Sequence, residues 1–333
     1  MFLAQKHRLS LMTLGALAAL HGLPALASPV LTASTIAQVP GTNDAPPPVT
    51  GQTGYAGSSS SASDSEGNSN AYGFASQYGS YAVRSDATGK ASSAATSSLL
   101  YTLTNNTGVA QTYTMSFFIY GGSISTYLDS GVMLNSGESL LASYAARISV
   151  GNTVKFNSAA SLTRNEAGVS LTQTGTTLAF ADTYIDDGDY YWGGSSYEIE
   201  IGTLAAGQSI DILAEVGDAA FANVGTYNFS EGGGYNGYGG YGCYGVPQPQ
   251  ATDAPEIASL AVVSETSCFK GRAGAFYGDP IDFGSTGPNT GLNDPPTVSF
   301  SSTPANGVPE PGSAALAGLA LLGLGALRRR RQG

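Results

Sequence analysis

The densest set of residues able to do chemistry is Asp182, Asp186, Asp187 and Asp189, gathered around Gly188. Carboxylates at a glycine turn supply the hard oxygen ligands that Ca²⁺ takes, and Ca²⁺ is the one cofactor the sequence suggests. The spacing fits neither an EF-hand loop nor a nonapeptide calcium repeat, so a solvated loop between strands is the competing reading. Tyr190, Tyr191 and Trp192 follow at once. Flat rings beside acids suit a glycan contact, because rings stack on the C–H face of a sugar while carboxylates accept hydroxyl protons. The same rings also suit core packing, where a lone Trp tends to lie. Thr172, Thr174, Thr176 and Thr177 are too few to define an ice-binding plane.

Enzyme chemistry has little to work with, and no enzyme is expected. Both histidines, His7 and His21, lie in the N-terminal segment, which leaves the body without any. That excludes Ser-His-Asp and Cys-His nucleophile pairs and His-ligated metals. Asp186 with Glu198 or Glu200 could form a glycosidase-like carboxylate pair, but no phosphate loop, dinucleotide fingerprint or nucleophile elbow accompanies them. Between the termini, seven basic residues stand against 23 acidic ones, a net charge of −16. Such a body repels phosphate backbones, which argues against nucleic acid as a partner.

The elements that must position these residues read as strands. Charged residues are 11% of the chain, against about 25% in an average soluble domain. The 45 glycines and 19 tyrosines favour short strands and turns. Leu99, Tyr101 and Leu103 fall on one face of an extended segment, as do Tyr113, Met115, Phe117 and Ile119. The Asn105-Asn106-Thr107-Gly108 turn between them predicts a β-hairpin over 99–118. Leu140 to Val150, Tyr197 to Ile201 and Ile210 to Val216 read as further strands. Ser136-Gly137-Glu138-Ser139-Leu140 is echoed by Ala206-Gly207-Gln208-Ser209-Ile210. The pattern predicts an all-β fold, a β-sandwich of immunoglobulin-like or jelly-roll type with disordered flanks and a short C-terminal hydrophobic helix.

The termini read as targeting segments. Lys6, His7 and Arg8 precede an apolar run, Leu9 to Leu20, and Ala25-Leu26-Ala27 places small residues at the cleavage positions. This is the pattern of a signal peptide cut after Ala27, so the secretion translocon is an expected partner and disulfides are permitted. At the other end, Pro309-Glu310-Pro311 opens a Gly/Ala/Leu-rich apolar run closed by Arg328, Arg329, Arg330 and Arg331. The prolines keep the start non-helical, and the arginines hold their end in the cytoplasm.

In the order of triplet, apolar helix and basic stop, Val308–Gly333 resembles the PEP-CTERM sorting signal of Gram-negative bacteria. The resemblance implies transient membrane insertion through that helix, removal of the tail by an exosortase, and delivery to the cell surface or an exopolysaccharide matrix. The stretch from the Asn105 turn to Gly121-Gly122 resembles, more faintly, the sandwich bodies that carry this tail. The implied role is structural or adhesive, with a polysaccharide-binding module as the second reading and ice binding as a third.

The expected organisation is a signal peptide over 1–27, a disordered Ser/Gly/Pro-rich segment over 28–70 and a sandwich body over 71–278. A linker over 279–307 and the sorting signal over 308–333 complete it. Within the body, 232–250 is a Gly/Tyr-rich loop containing Cys243. Cys268 is the only other cysteine, so a Cys243–Cys268 bridge is expected in an exported chain.

Overall fold

The computed structural model describes residues 25–27, 29–52, 54–77, 81–119, 121–129, 131–178, 188–229, 266–278 and 298–305. Their regular structure is all β. The first strands are β1 (Ala25–Leu26), β2 (Val30–Val39), β3 (Thr42–Asp44), β4 (Val49–Gly51), β5 (Tyr55–Ser63), β6 (Gly67–Ser76) and β7 (Tyr81–Thr104). Next come β8 (Gln111–Ile119), β9 (Gly122–Leu128), β10 (Ser139–Val150), β11 (Thr153–Asn165), β12 (Gly168–Gly175) and β13 (Asp189–Trp192). The last are β14 (Ser195–Leu204), β15 (Ser209–Asn223), β16 (Thr226–Phe229), β17 (Thr266–Phe269), β18 (Gly271–Gly278) and β19 (Val298–Pro304).

Most of these form one curled antiparallel sheet, and the curl is made inside β7. Residues of β7 up to Gly89 pair with β6 on one side, and those up to Thr88 pair with β18 on the other. From Lys90 onward the strand pairs with β15, and from Ser92 also with β2. One arm therefore runs β12-β11-β10-β15-β7-β2 and the other β5-β6-β7-β18-β9-β13. The turning point, Gly89, has a φ of 75°. A Cβ there would overlap the Glu66 carbonyl oxygen and lie 2.9 Å from Gly67 Cα. Both the left-handed backbone and the missing space demand glycine.

The two arms face each other across a core of small residues. Ala33, Thr35 and Ala37 of β2 oppose Ala56, Ser58 and Ala62 of β5 and Ala71 and Ala75 of β6, all buried. Cα atoms of β2 come within 8 Å of those of β5 and β6, to which it is not hydrogen-bonded. Stacked sheets ordinarily lie about 10 Å apart. Hydroxyls join the arms directly. Thr35 Oγ1 and Ser58 Oγ lie 2.8 Å apart, and Ser69 Oγ donates to Gln38 O at 3.1 Å. Within β7 itself, Ser93 Oγ donates to Asp86 O at 2.9 Å and Ser97 Oγ to Ala82 O at 3.2 Å. The other end of the core is aromatic: Tyr144 lies 4.2 Å from Trp192 and 5.7 Å from Tyr277 between ring centroids.

A separate three-stranded sheet, β14-β8-β19, supplies a further buried face from Tyr113, Met115, Phe117 and Ile119. Its rings meet the broad arm at Tyr101–Phe300, 6.2 Å, and Phe117–Phe156, 5.2 Å. The apolar alternations over 140–150 and 210–216 lie on β10 and β15 and face the core.

Three expectations are corrected. The segment 28–70 is not disordered: it contains β2 to β5 and the start of β6, because Ala, Ser and Gly bury well where two sheets approach this closely. The stretch 99–118 is not a hairpin, since β7 pairs with β15 while β8 pairs with β14 and β19. Asn105 makes a crossing there instead. Its side-chain amide donates to Val109 O and Leu204 O, both at 2.9 Å, and its N–H donates to Gln208 O. Finally, the expected linker contains β19, which completes the small sheet; 279–297 and the C-terminal helix lie outside the described residues. Among the described residues no helix is long and apolar enough to cross a membrane.

The echoed turns are built alike. Glu138 accepts from Asn135 N–H at 2.6 Å, and Gln208 accepts from Ala205 N–H at 3.0 Å. They open β10 and β15, which are antiparallel neighbours. Glu138 also accepts from Gly225 N–H and pairs with Lys270 Nζ at 2.7 Å, both side chains nearly buried. Burial opposes its charge, but the Asn135 N–H, Lys270 and the Gly225 N–H together hold the carboxyl below its ordinary range.

Asp218 is a buried carboxyl in this core. Oδ1 accepts from Ser85 Oγ at 2.7 Å, and Oδ2 has no hydrogen-bond partner among the described residues. Burial pushes its carboxyl well above the usual range, against the Ser85 hydrogen bond. An unfolded Asp ionises near about 3.9, so above that pH the native state keeps a proton the unfolded chain has lost. Stability from this group is full below that value and falls as pH rises toward the folded pKa. Asp218→Asn is expected to flatten this slope and raise the thermal midpoint at pH 7, as read by calorimetry from pH 4 to 8. Gly89→Ala is expected to cost about 3 kcal/mol or more in urea unfolding.

Candidate functional site

The strands β6, β7, β18, β9 and β13 turn an unusual set of residues outward. Along β6 the buried positions are Ser69, Ala71, Gly73 and Ala75, while Asn70, Tyr72 and Phe74 face out. Along β18 the buried positions are Ala273, Ala275 and Tyr277, while Arg272 and Phe276 face out. Bulk lies largely on the outside and smallness within, the reverse of an ordinary half-buried strand. The cause is the close approach of the arms: a Cβ on Gly73 would lie 3.0 Å from Thr96 O on the facing arm. Along β6 large side chains are excluded from that interface and appear on the other face, whereas β18 buries Tyr277 toward the aromatic end of the core.

Register arranges the outward residues in rows across the strands. One row reads Ser59, Tyr72, Arg84, Phe276, Ser123 and Tyr191. The adjacent row reads Ser61, Asn70, Asp86, Gly274, Ser125 and Asp189. Arg84 Nε pairs with Asp86 Oδ2 at 2.7 Å, which cancels two charges within the face. The Arg272 guanidinium lies over the Tyr127 ring, 5.8 Å from its centroid. Partial burial and then the Asp189 carboxylate raise the Tyr191 pKa, and Arg272 opposes them. At the centre Gly274 is closely flanked: a Cβ there would lie 3.2 Å from Asp86 Oδ1 and 3.4 Å from Ser125 Oγ, so these side chains leave little room over it. Ring faces, hydroxyls, an amide and paired charges on one surface can stack on and hydrogen-bond a polyhydroxylated ligand.

The residues singled out in the sequence separate here. Tyr190 and Trp192 are buried at 1% and 3% exposure, so they pack the core and are not glycan contacts. Tyr190 accepts a hydrogen bond from the Gln173 amide. Tyr191, between them on the opposite face, is 44% exposed and joins the aromatic row. Asp189 stands on the same face, while Asp182, Asp186 and Asp187 lie outside the described residues. Among the described residues no three His, Cys, Asp or Glu side chains converge as a metal site. Glu198 and Glu200 are exposed on β14, and the carboxylate considered as their partner, Asp186, is outside the description. Thr172 and Thr174 are exposed on β12, with Thr176 and Thr177 beyond its end.

Cys268 is buried in β17 opposite Tyr227, whose hydroxyl donates to Asp129 Oδ2 at 2.6 Å. Cys243, the loop 232–250, Pro309, Glu310, Pro311 and Arg328 to Arg331 lie outside the described residues.

Sequence reasoning did not find Tyr72, Arg84, Asp86, Arg272, Gly274 or Phe276. The available signal is the alternation of bulky with tiny residues over 69–75, whose first two residues fall in the segment expected to be disordered.

No family model and no curated protein matches this chain. The two neighbouring rings make opposite predictions. Trp192→Ala is expected to destabilise by about 3–5 kcal/mol. Tyr191→Ala is expected to stay within about 0.5 kcal/mol of the parent. Urea unfolding measures both.

Proposed function

We propose that this chain is an exported protein carried to the cell surface or exopolysaccharide matrix, with a structural or adhesive role exerted by holding polysaccharide. The observation that supports this is the outward face of β6-β7-β18-β9-β13, where Tyr72, Phe276 and Tyr191 stand beside Asn70, Asp86 and Asp189. Tyr191 is exposed and Tyr72 and Phe276 are partly so; rings held on a sheet and flanked by hydrogen-bonding groups give a platform whose binding needs little ordering. The two facing arms, with the small sheet, are read as a β-sandwich.

Export and sorting enter the proposal through the sequence. The basic and apolar N-terminus leads to the translocon, and Pro309-Glu310-Pro311 with its apolar run and four arginines leads to an exosortase. Cleavage after Ala27 would remove β1, whose Ala25 and Leu26 pair with Thr104 and Leu103 of β7, and leave β2 to begin the pairing at Val30. The bridge from Cys268 to Cys243 belongs to the same reading, since an exported chain meets an oxidising compartment.

Two measurements test it. The intact mass of protein recovered from envelope and culture medium is expected to run from Ser28 to near Pro309–Pro311; a species keeping Leu316 to Gly333 overturns the sorting step. The recovered protein is expected to bind immobilised exopolysaccharide from the same cells. A Tyr191→Ala, Phe276→Ala double variant is expected to lose that retention while folding normally, and unchanged retention overturns the face. Repeating the assay in EDTA separates direct stacking from a Ca²⁺ bridge through Asp182, Asp186, Asp187 and Asp189.

A further inference from the structure

We infer that the free edge of β12 pairs with the same edge of a second copy of this chain, antiparallel about Thr172, so that two broad arms run on into one another. β12 is the outermost strand of its arm and pairs with β11 alone. An unpaired edge is a template for another strand, and folded proteins blunt it with charge, proline, a bulge, short length or a cover. Among the described residues the other long edges carry such a device. β14 bears Glu198 and Glu200 and a register shift between Glu200 and Gly202. β19 ends in Pro304. Asp44 meets β5, its carboxylate accepting from Ser61 N–H at 2.8 Å. β3 and β4 cover both ends of β2. β12 has no charge, proline or bulge, and its Ser170, Thr172, Gln173 and Thr174 are exposed.

The ladder fixes which backbone groups are free. Thr176 N–H donates to Asn157 O at 2.7 Å, one step beyond the Ser158–Gly175 pair. Pairs that exchange hydrogen bonds alternate with pairs that do not, so Ser170, Thr172 and Thr174 direct their backbone groups at β11. Val169, Leu171 and Gln173 direct theirs at the open edge. An antiparallel copy centred on Thr172 sets Leu171 against the second copy's Gln173, so free groups meet free groups. Thr172 then faces itself, and Ser170 faces Thr174, in the closely spaced pairs where opposing hydroxyl side chains interact. A slip of one residue would set free groups against used ones.

Charge selects a second copy over a charged strand from elsewhere. The body is strongly acidic and repels itself at most contacts. The row that leads in from this edge reads Thr172, Ser161, Ser143, Ala219 and Ala94, with no charge in it. Glu166, in the turn before β12, falls at opposite ends of the pair in the two copies. A basic peptide finds no carboxylate along the strand to hold it. Because both copies use one edge, the pairing closes at two.

Sedimentation equilibrium of the purified chain tests this, and its outcome is independent of what the outward face of β6 to β13 holds. The mass is expected to rise from one chain toward two as concentration increases. Thr172→Lys sets two like charges against each other across the pair. Gln173→Pro removes an N–H that points at the open edge, a place where an edge strand tolerates proline. Each is expected to weaken the dimer about tenfold or more. Gln173→Pro also loses the Gln173 amide bond to Tyr190, so Thr172→Lys, whose thermal midpoint is expected to match the dilute parent, separates pairing from folding. Thr172→Cys is expected to give a disulfide-linked dimer on mild oxidation, reversed by reductant, while Ser161→Cys, one strand further in, is not. A parent that stays monomeric at every concentration overturns the inference and leaves the edge to some other chain. A dimer that survives both Thr172→Lys and Gln173→Pro, or that cross-links through Ser161→Cys as readily as through Thr172→Cys, overturns it as well.

Discussion

Everything in this fold depends on one backbone turn of the wrong hand. Gly89 allows a single strand to leave one sheet arm and enter the other without a loop. Because β7 is hydrogen-bonded on both sides along most of its length, the turn also sets the places of β2, β6, β15 and β18. The arms then lie face to face, with β7 bonded to itself through Ser93 and Ser97. Their spacing at that end follows from the covalent continuity of the strand. The small residues of the interface are its consequence, since nothing larger fits so near the corner.

That consequence reaches the surface. A sheet has two faces, and where the inner face of β6 admits only Ala, Ser and Gly, the rings of that strand stand on the other. The outward Tyr72 and Phe74 of β6 are thus tied to the tight interface beneath them.

How much of this was legible in the sequence follows the same physics. Leu140 to Val150 and Ile210 to Val216 read as strands because apolar and polar residues alternate there, and their buried faces are the ones the alternation marks. Tyr55 to Asn70 did not, because Ser against Ala carries almost no hydropathy contrast, and a Ser/Gly run resembles a linker. The Asn105 turn was legible as a turn, but not as a crossing: a hairpin and a sheet change use the same local residues, and only the distant Leu204 and Gln208 carbonyls decide between them. At the site, the ring triplet 190–192 was found, yet which ring faces out depends on strand register. Once Asp189–Trp192 is extended, Tyr190 and Trp192 must share one face and Tyr191 the other. The rest of the row comes from β5, β6, β7, β9 and β18, far apart in the chain, and no local pattern brings them together.

The long separations within the sheet also bear on how quickly the chain can fold. Thr104 pairs with Ser209, Thr88 with Arg272 and Phe117 with Val298. Until residues near 209 and 271 are available, β7 has partners only on one side, and its corner has nothing to lock against. Chains dominated by such distant pairings fold on the slow side of the millisecond-to-second range. A polypeptide of this topology stays open through most of its synthesis, which is the state in which a chain can be threaded through a narrow pore.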